Sequence, residues 1–318
     1  GSGPGAYQGL TSTVLPLGDG SVLVGAAGTS DGQRYYRRLL PNGAQDPAWP
    51  WPNEVPGGPR KLLRLPDGRF LIAGGSLGGI HRLSADGSFD PTFQGPASIG
   101  RFQRNYVRDV AVLPDGRILI AGLFNDVDGV TRVGLARLLP DGALDRGWIP
   151  AALPNGSEVN ALALLPDGKI LIGGAFVTVG GEPHRNLARL HPDGTVDSSL
   201  GDLIPNTSPA GVVNAFAVQP DGRVWVGGAF FALTGRTYLF RLNTDGTLDS
   251  TVPDVGFTPG QDGGIRQLTL TPDGRLWIGC AVTSVADYPA GQLFRIFTDL
   301  EGPTVGYAGL DQTPDIGT

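Results

Sequence analysis

The chain has 318 residues and a formal net charge of −6, and its 51 glycines and 27 prolines make up about a quarter of it. No apolar run is long enough to span a bilayer, and the scarcity of helix formers excludes coiled coils and helical bundles. The acidic balance argues against general nucleic-acid binding. The single cysteine, Cys280, excludes an internal disulfide framework and a zinc cluster.

Two kinds of turn recur along the chain at a fixed period. Asp-Gly appears six times between apolar runs, at intervals of 48 to 54 residues, with turn glycines Gly20, Gly68, Gly116, Gly168, Gly222 and Gly274. A second turn follows each of them, at Gly43, Gly87, Gly142, Gly194, Gly246 and Gly302. Asp-Gly between alternating apolar residues is a hairpin signal, because such turns need the positive φ that glycine adopts readily. Each repeat is therefore predicted to form two hairpins.

The fourth repeat displays the predicted strands most clearly. Strands are expected at 159–165, 169–175 and 186–190, with a fourth after the second turn. Four strands in each of six repeats predict an all-β fold, a six-bladed β-propeller with four-stranded antiparallel blades. We expect one domain over 1–318, with 1–9 and 311–318 as termini or ring closure and blades at about 10–56, 57–103, 104–155, 156–210, 211–262 and 263–310.

Each repeat also carries a charged pair. An arginine stands in each predicted third strand, at Arg38, Arg82, Arg137, Arg189, Arg241 and Arg295. An aspartate follows the second turn in five repeats, at Asp46, Asp90, Asp145, Asp197 and Asp249, whereas the sixth repeat has Val305. A residue needed once per blade indicates scaffolding rather than a ring of catalytic carboxylates. We expect the arginine to offer a bidentate fork to the carboxylate within the hairpin.

Glycine pairs end the predicted second strands at Gly74-Gly75, Gly173-Gly174 and Gly227-Gly228. No helix start or Lys-Ser/Thr follows them, so a phosphate-binding loop is not indicated. Close packing of strands explains them better. Cys280 replaces the second glycine in the sixth repeat, where a small thiol suits a buried position.

The segments L-P-D-G-(R/K)-(I/V/F/L)-L-(I/V)-(A/G)-G and A-R-L-x-x-D-G-(S/T/A)-(L/V/F)-D resemble the bacterial delta-sixty repeat family over about residues 10–310. The resemblance implies a propeller without a defined catalytic site, in a large secreted or surface-attached bacterial protein. Kelch-type propellers are the alternative, but their tyrosine and tryptophan positions are not repeated here. The opening Gly1-Ser2-Gly3, without methionine, indicates a segment of a longer chain.

The connections that differ between repeats are expected on one face of the propeller, opposite the uniform turns, and function tends to lie in variable loops. Eight residues before each first-turn glycine, a polar residue begins the predicted inner strand: Ser12, Arg60, Arg108, Asn160, Asn214 and Arg266. Arg101, Arg104 and Tyr106 lie beside Arg108 in sequence. This mixture of cations and an aromatic predicts a site for an anionic glycan or an acidic partner. A solvated rim, with the asparagines bonding a neighbouring backbone, is the alternative.

We therefore expect a non-catalytic, monomeric binding module without a cofactor, located outside the cell or on its surface. Its expected partners include other domains of the same parent chain. Neither nucleic-acid binding nor direct insertion into a membrane is expected. The alternatives are a structural spacer in an adhesin-like chain and a polysaccharide-active enzyme using Asp109 and Glu158. His81, His184 and His191 lack metal-ligand spacing.

One acidic loop resembles half of a calcium site. In the segment 125–129, Asp126 and Asp128 alternate as in the first half of a calcium loop, but the distal glutamate is missing and the other repeats show nothing comparable. An Asx-rich turn is the preferred interpretation, and no bound metal is predicted.

Overall fold

A computed structural model describes residues 9–29, 35–50, 59–74, 79–100, 106–204, 211–231, 237–252, 257–259, 264–271, 273–280, 282–285, 288–289, 293–297 and 305–307. Every regular element in these ranges is a β-strand, which confirms the predicted all-β class. Within the same ranges no helix has the length and apolarity needed to cross a membrane.

The chain divides into two compact units. The first comprises Gly1–Pro150 with Asn155–Glu158, and the second comprises Ala151–Pro154 with Val159–Thr318. Each unit contains three of the six repeats, and each is described by itself below.

The first unit contains eleven strands: β1 (Gly9–Pro16), β2 (Val22–Thr29), β3 (Tyr35–Leu39), β4 (Pro59–Arg64), β5 (Phe70–Gly74), β6 (Ile80–Leu83), β7 (Tyr106–Val112), β8 (Ile118–Leu123), β9 (Asp126–Val127), β10 (Val130–Thr131) and β11 (Leu135–Leu138). They form three antiparallel sheets, β1-β2-β3, β4-β5-β6 and β7-β8-β11, and the small hairpin β9-β10. Each three-stranded sheet corresponds to one sequence repeat.

The second unit contains the remaining strands: β12 (Glu158–Leu164, of which Glu158 belongs to the first unit), β13 (Ile170–Ala175), β14 (Thr178–Val179), β15 (Glu182–Pro183), β16 (Leu187–Leu190), β17 (Val212–Val218), β18 (Val224–Phe231), β19 (Thr237–Leu242), β20 (Phe257–Pro259), β21 (Ile265–Leu270), β22 (Arg275–Cys280), β23 (Val282–Val285), β24 (Tyr288–Pro289), β25 (Leu293–Phe297) and β26 (Val305–Tyr307). The repeat sheets are β12-β13-β16, β17-β18-β19 and β21-β22-β25-β26. β12, β13 and β16 agree with the predicted strands of the fourth repeat to within one residue at each end.

The fourth strand differs from the prediction in five repeats. It is reduced there to one bridging residue pair beyond the second turn, at Leu39–Gln45, Leu83–Phe89, Leu138–Leu144, Leu190–Val196 and Leu242–Leu248. The aspartate of the charged pair follows each bridge, and it turns the chain away from the sheet. Among the described sheets, only that of the sixth repeat has four strands, with β26 paired to β25.

The hydrophobic core lies between successive sheets of each unit. In the first unit Leu71 and Ile80 of one repeat are buried in a cluster with Val107 and Val110 of the next. In the second unit Leu171 of the fourth repeat shares a cluster with Val213 of the fifth. Alternating apolar residues therefore face the neighbouring repeat, and their burial holds the stack of sheets together.

A second contact between repeats involves the glycine of the second turn. Gly87 has a φ of +89°, and a Cβ atom there would lie 2.5 Å from the Trp49 ring of the preceding repeat. Gly142 has a φ of +95°, and its Cβ would lie 2.8 Å from the Phe93 ring. This contact was not predicted, although an aromatic or aliphatic residue recurs three places after each aspartate, at Trp49, Phe93, Trp148, Leu200 and Val252.

Candidate functional site

The recurrent arginine and aspartate form ion pairs within five hairpins, as predicted. The nitrogen–oxygen distances are 3.2 Å for Arg38–Asp46, 2.7 Å for Arg82–Asp90, 2.8 Å for Arg137–Asp145, 2.7 Å for Arg189–Asp197 and 2.8 Å for Arg241–Asp249. The fourth pair is buried, with side-chain exposures of 3% and 6%. These carboxylates serve as scaffolding, because each is already engaged by its own hairpin.

The geometry of these pairs corrects the predicted bidentate fork. In the fourth repeat Arg189 Nε donates to Asp197 Oδ2, while Asp197 Oδ1 accepts hydrogen bonds from the Ser199 amide at 3.1 Å and hydroxyl at 2.5 Å. Arg189 Nη2 donates instead to the Asp245 carbonyl of the next repeat, at 3.0 Å. One oxygen thus pairs with arginine and the other closes an Asx turn, so the arginine is free to link two repeats.

In several repeats a basic residue of the first turn also contacts the aspartate of the ion pair. The basic residue after Asp-Gly reaches the same carboxylate in Arg69–Asp90 at 2.9 Å, Lys169–Asp197 at 3.0 Å and Arg223–Asp249 at 3.5 Å. The first repeat has Ser21 at this position, and its hydroxyl accepts from Arg38 Nε at 3.1 Å. In the first repeat, Ser21 therefore connects the first turn to the strand arginine, at the position where the other repeats have a basic residue.

Stability below pH 5 is expected to depend on these carboxylates. Burial raises the pKa of Asp249, but hydrogen bonds from Thr251 and from Arg241, together with the charge of Arg241, outweigh it and lower the pKa to about 2. An aspartate in an unfolded chain has a pKa of about 3.9. Because the folded value is lower, the stabilisation is complete above about pH 5 and is lost as the pH falls towards 2.

An Asp249→Asn variant tests this dependence by urea unfolding at pH 7 and pH 3. The variant should be less stable than wild type at pH 7 and should lose less stability on acidification. Equal acid sensitivity of the two proteins would show that Asp249 does not contribute.

Five of the six polar residues predicted to begin the inner strands lie where the strand register is broken. In five repeats the pairing of the inner strand with its neighbour skips one residue, and the skipped residues are Ser12, Arg60, Arg108, Asn214 and Arg266. Such β-bulges leave the extra residue unpaired and redirect its side chain. The sequence therefore located these positions, but not the backbone feature that makes them distinct. The side chain of Ser12, and all of Arg101 and Arg104, lie outside the described residues.

The strand glycines make room for these bulges. A Cβ atom on Gly122 would lie 2.1 Å from the Tyr106 carbonyl oxygen, and one on Gly228 would lie 2.0 Å from the Val212 oxygen. The first glycine of a pair has another role, since a Cβ on Gly173 would lie 2.4 Å from Val213 of the next repeat. In the second repeat the residues that pair on either side of the bulge are Ala73 and Gly74. The counterparts of the glycine pair are therefore Ala73 and Gly74, and not the predicted Gly74 and Gly75.

Four of the singled-out side chains meet in the first unit. The Arg60 guanidinium lies 4.4 Å from the centroid of the Tyr106 ring, and that of Arg108 lies 5.0 Å from it. Tyr106 Oη donates to Glu158 Oε1 at 2.8 Å and accepts from Arg108 Nη2 at 3.0 Å. Arg108 Nε also donates to Glu158. We call Arg60, Tyr106, Arg108 and Glu158 the arginine–tyrosine cluster.

The charges of this region are unevenly compensated. Glu158 pairs with Arg108, and Asp109 pairs with Lys61 at 2.9 Å, so both carboxylates considered for an enzyme are held in ion pairs. Arg60 is exposed, and no carboxylate among the described residues lies within ion-pair distance of it. Burial and the charge of Arg108 lower the pKa of Arg60, whereas Tyr106 and Glu158 raise it. Arginine nevertheless stays protonated at neutral pH, so the cluster presents one uncompensated cation.

The asparagines of the second unit have the structural role considered as an alternative. Asn160 Nδ2 donates to Asn214 Oδ1 at 3.1 Å, and Asn214 Nδ2 donates to the Ile265 carbonyl at 3.0 Å. These bonds connect the inner strands of successive repeats. Arg266 is exposed. The polar residues predicted to begin the inner strands therefore fall into three groups, which are the arginine–tyrosine cluster, the amide chain of Asn160 and Asn214, and the exposed Arg266.

The acidic segment 125–129 forms the β9-β10 hairpin, with Asp128 and Gly129 at positive φ. Asp126 Oδ1 accepts from the Gly129 amide at 3.3 Å, and Asp128 Oδ1 accepts from the Ser98 amide at 3.0 Å. The local bond between Asp126 and Gly129 agrees with the Asx interpretation, whereas the bond from Ser98 connects the turn to a distant segment. The fourth repeat forms a similar small hairpin, β14-β15 around Gly180-Gly181, but without the alternating acidic residues of segment 125–129. The described residues contain no group of three or more acidic, histidine or cysteine side chains arranged to hold a metal.

Comparison with protein families identifies four of the repeats. Residues 65–93, 113–147, 165–200 and 219–251 match the family described as "Domain of unknown function (DUF5122) beta-propeller". These repeats match a β-propeller family. Each matched segment contains both hairpin turns and one arginine–aspartate pair, so the family signature coincides with the scaffold. None of the curated proteins matches the sequence.

Solved structures resemble the chain in fold at low sequence identity. PorZ, a bacterial surface component of the type-IX secretion system of Porphyromonas gingivalis, has a TM-score of 0.52 and 14% identity over 95% of this chain and 42% of its own. The chain thus spans less than half of PorZ. The extracellular domain of a putative one-component system from B. thetaiotaomicron has a TM-score of 0.48 and 15% identity, over 90% of this chain and 39% of its own.

Proposed function

We propose that the chain is a non-catalytic binding module, a six-bladed propeller in which five blades reduce the fourth strand to a single bridge, that takes an anionic ligand at the bulged starts of its inner strands. Six repeat sheets and the propeller family matched by four repeats support the architecture. The uniform turns are occupied by the arginine–aspartate scaffold. The connections near the bulges differ between repeats, as expected of a binding face on a rigid fold.

The observation that carries the binding proposal is the uncompensated Arg60. Its exposed guanidinium lies over Tyr106, while the neighbouring cations Lys61 and Arg108 are paired with carboxylates. In a protein of net charge −6, an exposed cation without an acidic partner offers a specific point of attachment for an anion.

We further propose that the module belongs to a larger secreted or surface-attached bacterial protein. The support is the sequence resemblance to delta-sixty repeats and the similarity of fold to PorZ, which is itself a surface component. A structural spacer in such a protein is the alternative that a lack of ligand binding would favour.

Retention on an array of anionic polysaccharides tests the binding proposal. Arg60→Glu should weaken retention at least about tenfold, and the combined replacement of Arg60, Arg108 and Arg266 by Glu should abolish it, because attraction becomes repulsion. Arg146→Glu is the matched control, since Arg146 is exposed and outside the cluster. Absence of binding by the wild-type chain, or equal loss in Arg146→Glu, would contradict the proposal.

A further inference from the structure

We infer that Arg60 is the ligand-binding cation of the arginine–tyrosine cluster and that it takes a single carboxylate, as carried by a uronic acid residue of a polysaccharide. This inference rests on the proposed function and specifies its ligand. It assigns different roles to two arginines that the sequence places at equivalent positions. Arg60 contacts the ligand, whereas Arg108 positions the surface on which Arg60 lies.

Arg108 is unsuited to bind a ligand anion because its partners are internal. Its Nε donates to Glu158, and its Nη2 donates to Tyr106 Oη at 3.0 Å. Glu158 also accepts from Tyr106 Oη at 2.8 Å, so the three side chains close a hydrogen-bonded triangle. The charge of Arg108 is offset by Glu158, and the Tyr106 ring is held in one orientation.

Arg60 contacts the cluster through the tyrosine ring, whereas Arg108 uses its N–H groups. Its guanidinium lies 4.4 Å from the Tyr106 centroid, a contact that uses the ring and consumes no N–H donor. Stacking on an aromatic ring fixes the plane of a guanidinium while its N–H edge remains available. That edge matches a planar acceptor with two oxygens, such as a carboxylate. Because hydrogen bonds with Arg108 and Glu158 hold the tyrosine in place, this edge is oriented before a ligand arrives.

The charge balance favours a uronate over more densely charged ligands. The cluster, together with Lys61 and Asp109, contains three cations and two carboxylates, and of these cations only Arg60 has no ion-pair partner among the described residues. Acidic peptides and heavily sulfated glycans present several charges in close succession, and they would need several unpaired cations on a chain of net charge −6. A polyuronate carries one carboxylate per sugar, with neutral hydroxyl groups between successive charges.

Titration calorimetry on the full chain tests the inference with three probes: oligogalacturonate, a sulfated dextran oligomer of matched length and polyglutamate. Wild type should bind oligogalacturonate most tightly. Arg60→Lys keeps the charge but loses the planar fork, so it should weaken that binding at least about tenfold. Arg146→Ala, which removes an exposed arginine outside the cluster, should leave it unchanged. Glu158→Gln releases Arg108 and should strengthen binding of the sulfated dextran.

The outcomes separate this inference from the proposed function. If none of the three probes binds the wild-type chain, the proposed function itself fails. If the sulfated dextran or polyglutamate binds more tightly than oligogalacturonate, or Arg60→Lys binds like wild type, anionic binding stands and the uronate assignment is overturned. Melting curves of each variant show whether it is folded, and Arg60→Gln provides an uncharged variant at the same exposed position.

Discussion

Replacing Asp197 by asparagine is expected to lower the free energy of unfolding by about 3 to 5 kcal/mol, as breaking one side of a buried ion pair does. Arg189 is only 2% exposed, and its Nε lies 2.7 Å from Asp197. Lys169 approaches the same carboxylate at 3.0 Å. The variant leaves a buried guanidinium without its counter-charge, which the low-dielectric interior penalises strongly.

Asp193→Asn provides the matched control for urea unfolding of this variant. Asp193 and Asp197 both accept the amide and the hydroxyl of the residue two positions later, Thr195 and Ser199 respectively. Asp193 is exposed, and within the described part of the chain no arginine pairs with it. It should therefore show only a small loss of stability. Similar losses in the two variants would mean that the Asx turn, and not the ion pair, stabilises the hairpin.

Replacing Gly122 by alanine should destabilise the first unit by about 3 kcal/mol, the upper end of the usual cost of overpacking. The added Cβ would lie 2.1 Å from the Tyr106 carbonyl oxygen and 3.0 Å from the Val107 Cα. Both neighbours are backbone atoms, so no side-chain rotation relieves the contact. The bulge at Arg108 must shift, and the Tyr106 ring shifts with it, so the variant should also lose affinity for any ligand bound at Arg60.

The same substitution at Gly201 is the control. A Cβ there meets no atom within 4 Å, and alanine restricts the unfolded chain, so Gly201→Ala should be neutral or stabilising by about 0.5 kcal/mol. Thermal unfolding monitored by circular dichroism compares the two variants. A Gly122→Ala protein as stable as Gly201→Ala would show that the bulge tolerates a side chain opposite it.

The residue three places before the third-strand arginine, in the second to fifth repeats, illustrates the limit of local signals. Gly79, Gly134, Asn186 and Tyr238 stand three places before the strand arginine in successive repeats, with φ between 51° and 67°. Glycine and asparagine adopt this conformation readily, whereas a buried tyrosine rarely does. The sequence therefore indicated this positive φ in the second, third and fourth repeats, but not in the fifth, where the residue is Tyr238. Packing between repeats imposes it on Tyr238, which is buried in the core of the second unit.

The repeats, the hairpin turns and the arginine–aspartate pairs were predictable from the sequence because each depends on residues close in the chain. Arg189 and Asp197 are eight residues apart across one turn, so the hairpin alone brings them together. The same locality explains why the inner-strand positions of Arg60 and Arg108 were found by counting back from a turn glycine.

The tertiary structure decided what these residues do. Glu158 is 50 residues from Arg108, and no local pattern marks it as the carboxylate that pairs with Arg108. Tyr106 and Arg60 likewise belong to different repeats and meet only because successive inner strands lie side by side. The glycine-rich turns that dominate the composition thus specify six repeated sheets, because turn geometry is local. Which charge remains unpaired is decided by contacts between repeats, because electrostatic compensation depends on neighbours in space.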